Sequence, residues 1–168
     1  GALINGERSY IDVSTEVRQF SARIVGPSLD LLGTSIELLK LEGLIEVVDN
    51  CGGDGEELLR LTPNGFLELK EYLKSTIRSG SSDLNKLVVA LKLRFIEVLA
   101  PSERLDQLVG LQTMYQAERN RLQDLRKHKE WSAGMLQELL DLELDVTDQR
   151  LLWCCEQVKK IKKVINSS

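Results

Sequence analysis

Aromatic residues make up only 5% of this 168-residue chain, which has 3 prolines, 3 cysteines and 1 histidine. Each scarcity excludes something. Three cysteines are an odd number, and Cys154 and Cys155 are adjacent, so no disulfide framework forms and a reducing, cytoplasmic compartment is expected. With one histidine and no CxxC there is no credible zinc site, and no cofactor is expected. No stretch approaches the roughly 20 apolar residues of a membrane span. No basic n-region with an apolar core opens the chain, so neither membrane nor secretion is expected. The sequence also lacks a phosphate loop with its lysine, HExxH and GxSxG. Gly52-Gly53-Asp54-Gly55 is a turn with no helix start behind it. An enzyme is therefore not expected. Sparse Gly and Pro beside abundant Leu, Glu, Lys, Arg and Gln read instead as a helical globular protein, long enough to bury a sizeable core.

Charge is present but unevenly held. Of the net −4, residues 1–79 carry 8 Lys and Arg against 13 Asp and Glu, a balance of −5. Residues 80–168 carry 14 against 13. An acidic front half repels a phosphate backbone.

The periodicity sets out the elements. Tyr10, Val13, Val17, Phe20 and Ile24 recur at 3-4 spacing, an amphipathic helix. Gly26-Pro27-Ser28 breaks it, and Ser28 can cap a second helix, Leu29–Glu42, that stops at Gly43. Leu44–Val48 and Leu58–Leu61 read as a β-hairpin with a Gly-rich tip. Thr62-Pro63 then starts a helix over Asn64–Arg78. Helix, turn, helix, hairpin, helix is the order of a winged helix. After the break at Ser79–Asp83 the pattern predicts helices only: Leu84–Leu99, Pro101 to about Glu130, Met135–Val146 and Asp148–Ile165.

Leu41–Val47 (LEGLIEV) and Leu61–Leu73 (LTPNGFLELKEYL) resemble the hairpin and following helix of winged-helix bacterial regulators. Lys92–Leu99 (KLRFIEVL), Pro101-Ser102-Glu103-Arg104 and the long helix behind them resemble the C-terminal region of PadR-like transcriptional regulators. The resemblance covers roughly residues 1–127. It implies a mainly α fold with a small β-hairpin: a winged helix-turn-helix domain over 1–79, then an all-helical dimerisation region over 80–168. It also implies a homodimer that binds duplex DNA and responds to a small-molecule effector. This sequence departs from that pattern in its second helix, where Gly33 falls about where the family has a tyrosine. Lys40 is that helix's only basic residue, beside Asp30, Glu37 and Glu42.

Candidate residues follow. Ser28, Thr34, Ser35 and Lys40, with Arg18, Arg23 and Arg60, are the groups able to contact phosphates and base edges; a cap at Ser28 and solvated charges elsewhere are the plainer alternative. Leu108, Leu111, Tyr115, Leu122 and Leu125 form a heptad seam interrupted by Glu118, which suits dimerisation. Trp131 and Trp153 are candidates for an effector pocket by the resemblance, and for ordinary core by composition. Lys159, Lys160, Lys162 and Lys163 read as a solvated helix end. Leu38 and Leu41 lie off the apolar face formed by Leu29, Leu32, Ile36 and Leu39. Their exposure would favour a protein partner, and their burial would assign them to the domain itself. Two functions stand side by side: a DNA-binding regulator, or a winged helix that has lost DNA binding and serves as an interaction module.

Overall fold

The structure is a computed structural model and describes residues 1–25, 35–50, 57–77, 83–128 and 134–167. Its contacts divide the chain into two compact units. One joins Gly1–Ser75 to Ser82–Val98, and the other joins Thr76–Ser81 to Leu99–Ser168.

The front unit opens with β1 (Arg8–Ser9) and α1 (Tyr10–Val25). The Ser9 hydroxyl accepts from the Asp12 N–H at 3.1 Å and so starts the helix. Next come α2 (Ser35–Leu41), β2 (Ile45–Asn50), β3 (Glu57–Leu61) and α3 (Pro63–Lys74). Helix α2 ends at Gly43, whose φ of +67° is the left-handed conformation that a C′ glycine adopts without strain. The Leu44 N–H returns to the Leu39 carbonyl at 3.0 Å and closes the end. The expected hairpin is present, with a bulge between Val47 and Asp49. A third strand was not expected: β1 pairs antiparallel with the far edge of β3, giving the order β1-β3-β2. Two residues are too few to show any alternation in sequence. Leu59 on the central strand is fully buried, in a core with Leu3, Val13, Ile36 and Ile45.

Thr62 joins these elements. Its N–H donates to the Leu44 carbonyl at 3.2 Å. Its hydroxyl reaches the Gly43 and Leu44 carbonyls at 2.8 and 3.1 Å and accepts from the Gly65 N–H at 3.0 Å, capping α3. Gly65 stands so close that a Cβ there would lie 1.9 Å from the Leu44 carbonyl oxygen.

Helix α4 (Asp83–Arg94) packs on α1, so it groups with the front unit rather than with the helices after Leu99. The single helix expected over Leu84–Leu99 stops at Arg94, and a 3₁₀ turn, Ile96–Val98, precedes Pro101. Lys92 is buried on α4, and its ammonium donates to the Leu73 carbonyl at 2.6 Å and to the Ser75 carbonyl. The cation thus closes the C-terminus of α3, where free carbonyls favour it. Burial pushes its pKa below the ordinary lysine value.

The back unit is α5 (Pro101–Lys127) with α6 (Met135–Asn166). Two helices were expected after Met135, but one runs unbroken through Thr147. That residue is 2% exposed, and its hydroxyl donates to the Glu143 carbonyl four residues back. The pair is antiparallel in one register. Arg126 meets Asp141, Arg119 meets Asp148, the Arg150 guanidinium lies 5.7 Å from the Tyr115 ring centre, and Gln112 meets the Cys155 sulfur. From Arg126–Asp141 through Arg119–Asp148 to Gln112–Cys155, each step toward the start of α5 is an equal step toward the end of α6.

Two glycines test the close approaches. Gly65→Ala is expected to destabilise the protein by at least about 1–3 kcal/mol, because the obstruction is backbone that cannot turn aside. Gly110→Ala, in α5 with nothing within 4 Å of the new Cβ, is expected to stabilise by roughly 0.5–1 kcal/mol. Urea unfolding of both variants checks the pair, and equal effects would contradict the Thr62–Gly65 junction.

Candidate nucleic-acid interface

The helix-turn-helix places α1 and α2 in sequence order before the hairpin, so its surface should carry the groups that meet DNA. Ser28 and Thr34 lie outside the described residues, as does the Ser35 side chain. Arg18 and Arg23 are exposed on α1. They lie five residues apart, about 140° around the helix, so they do not share a face. Arg23 also donates to Gln19 at 3.2 Å.

The other two candidate cations are already engaged. The Lys40 ammonium lies 3.0 Å from Glu37 and 2.8 Å from Glu57 on β3. Its pKa is raised, first by the hydrogen bond to Glu57 and then by the one to Glu37. Arg60 lies 2.8 Å from Glu46 on β2 and 3.4 Å from Glu7. The hydrogen bond to Glu46 is the main reason that its guanidinium holds its proton more firmly than usual. Sequence reasoning named these cations but did not find their partners. The Arg60–Glu46 pair is written in the hairpin register, in which Glu46 faces Arg60. The Lys40–Glu57 contact joins a helix to a strand and has no such signal.

One cleft was missed altogether. It holds about 780 Å³ within the front unit and is lined by Arg8, Glu16, Phe66, Arg94 and Phe95, among others. Glu16 on α1 bonds both Arg8 on β1 and Arg94 on α4. The Arg94 guanidinium lies 4.6 Å from the Phe20 ring centre and 5.2 Å from that of Phe95. The hydrogen bond from Arg8 is the first cause that holds the Glu16 carboxyl below its ordinary value. These residues are scattered from position 8 to position 95, and no sequence pattern links them.

In the back unit Leu108, Leu111 and Leu122 are buried, and Tyr115 and Leu125 are partly so. Leu122 and Leu125 pack with Leu140 and Leu144 of α6. The expected seam therefore meets a helix of its own chain. Glu118, the polar break in that seam, pairs with Arg121 at the helix surface. Trp131 lies outside the described residues, and Trp153 is 41% exposed on α6. Cys154 is fully buried, which pushes its thiol up to about 11, so it holds its proton at neutral pH. Among the described residues no group of His, Cys, Asp and Glu could hold a metal ion, and no helix is long and apolar enough to cross a membrane.

The model of the family described as "AphA-like transcriptional regulator" matches residues 1–158 of this chain. No curated protein matches it. Solved structures similar to it include PadR from Bacillus subtilis in complex with operator DNA, at 21% identity over 96% of this chain and 95% of that one, with a TM-score of 0.39. A PadR-like transcriptional regulator from Bacillus cereus is similar at 13% identity over 97% and 94%, TM-score 0.42. Bacillus subtilis PadR in complex with p-coumaric acid is similar at 20% identity over 96% and 92%, TM-score 0.41. The match to a transcriptional-regulator family bears out the regulator reading of the sequence, and the expected mainly α fold is present with its hairpin, which β1 enlarges to a three-stranded sheet.

The Lys40 pairing has a direct readout. Its ammonium is expected to titrate above the ordinary 10.5, followed by NMR at the side chain, and Glu57→Gln should move it back toward that value. Because the folded state raises this pKa, the stability that the pairing contributes is complete below 10.5 and is lost as pH climbs through the raised value. A wild-type titration at or below 10.5 would mean that the pairing is not populated in solution.

Proposed function

Because the chain belongs to the AphA-like family of transcriptional regulators, we propose that it acts in the cytoplasm as a homodimer that binds duplex DNA through two winged helices. The observation that carries this reading is the order α1, α2, hairpin and α3 inside a chain that matches a regulator family over residues 1–158. Two such units at fixed spacing would read two half-sites of an operator. Arg18 and Arg23, already exposed, are the first phosphate contacts. Lys40 and Arg60 join them once DNA phosphates displace Glu57 and Glu46. Ser28, Thr34 and Ser35 remain the candidates for hydrogen bonds to the operator.

Leu122 and Leu125 of the seam pack on α6 of the same chain, and Leu108 and Leu111 are buried without a second copy, which favours the outer side of α6 as the surface offered to that copy. Met135, Leu139, Leu142 and Trp153 are 84%, 51%, 58% and 41% exposed there. With the partly buried Val146 they recur at heptad spacings on a stripe separate from the inward one. A small-molecule effector belongs to the same reading, with Trp131 and Trp153 as candidate lining.

Mobility shifts on duplex DNA at about 50 mM salt, the low end of the informative range, are expected to show binding that weakens steeply as salt rises. The quadruple variant Glu7→Gln, Glu37→Gln, Glu46→Gln, Glu57→Gln, which frees Lys40 and Arg60 from these carboxylates, should bind more tightly. Its logarithmic salt slope should stay near that of the wild type, because the phosphate contacts are the same and only the competing carboxylates are gone. No binding to genomic fragments would favour a winged helix that serves only as an interaction module. Leu139→Glu with Leu142→Glu is expected to give a folded monomer by light scattering, and a dimer that survives both would place the interface elsewhere.

A further inference from the structure

Two surface features remain unused by this function, and their chemistry is complementary. Leu38 and Leu41, three residues apart and so on one side of α2, are 52% and 85% exposed. Glu37 and Glu42 flank them and are exposed too. Lys40, the helix's only cation, has its charge held by Glu37 and Glu57. The groove-facing helix therefore presents apolar side chains ringed by carboxylates, which is unfavourable toward phosphates and suited to a basic, partly apolar helix.

Such a helix end exists in the same chain. Lys159, Lys160, Lys162 and Lys163 are all exposed on α6, beside Val164 at 51% exposure. After Asp148 the only carboxylate side chain is Glu156. Lysine stems lie readily along apolar surface while their ammonium groups reach for carboxylates.

We propose that the lysine-rich end of α6 from a second copy docks on Leu38, Leu41, Glu37 and Glu42 of α2. The contact covers the helix that would enter the DNA groove, so a copy bound in this way is withheld from DNA. That consequence rests on the DNA-binding reading given above, whereas the contact itself does not.

A photo-cross-linking amino acid at position 41 of the full chain tests the contact, because that side chain is largely in solvent. Equal amounts of isotopically heavy and light protein are mixed without DNA and irradiated. Heavy–light cross-links to residues 159–164 are expected. Their yield should fall at least about fivefold when salt is raised from about 0.1 M to about 1 M, because the screening length shrinks from about 10 Å to about 3 Å. The same fall is expected for Lys160→Glu with Lys163→Glu, and adding Glu37→Lys with Glu42→Lys should restore the yield. Cross-links that map elsewhere, that join only like-labelled chains, or that ignore the charge reversals would overturn the proposal. So would lysine variants that lose DNA binding in a mobility shift without changing the cross-links, since the lysines would then serve DNA. Adding duplex DNA should abolish the cross-links, and their persistence beside bound DNA would refute the withholding. Cross-links without any DNA binding would leave the contact standing and remove only the DNA reading.

Discussion

The front unit depends on the neighbourhood of one carbonyl, that of Leu44. Gly43 turns the chain out of α2, Leu44 leads into β2, and Thr62 brings the end of β3 back to the same point. Gly65 lets α3 begin against it without a side chain in the way. Four elements are thus tied at one spot by hydrogen bonds whose donors and acceptors would otherwise be unpaired at element ends. The hairpin and both flanking helices take their mutual placement from that spot, and the Leu59 core fills in behind them.

Electrostatics in this unit is largely internal. A sequence that carries −5 over residues 1–79 could have scattered its few cations into solvent, yet Arg8, Lys40 and Arg60 each hold a carboxylate. Exposed pairs of this kind contribute little to stability. Their importance lies in what they deny to other ligands: a phosphate that approaches Lys40 or Arg60 must first displace a carboxylate. Affinity of this face for any polyanion is then a competition between anions and not a simple attraction.

Much of this was legible in sequence because the signals were local. The Thr62-Pro63 start of α3, the Gly43 stop of α2 and the 3-4 spacing of α1 each depend on residues within one turn of one another. What escaped was either too short or too distant. The two residues of β1 cannot display a period. The break expected near Thr147 is absent because the helix carries that polar side chain within itself, its hydroxyl donating to the Glu143 carbonyl. The seam of α5 was correctly read as needing a helix, but sequence alone does not say which chain supplies it. Glu57 beside Lys40 and Arg94 beside Glu16 are tertiary facts, seventeen and seventy-eight positions apart.

The single register of α5 and α6 has a mechanical consequence. Sliding one helix past the other by one residue moves each side chain about 1.5 Å along the axis and about 100° around it. Every matched pair, from Arg126–Asp141 to Gln112–Cys155, would then be lost together. The next arrangement that brings apolar side chains back together is about one helical turn away, roughly 5.4 Å. The pair therefore has no small sliding motions available to it. It behaves as a ruler with coarse graduations.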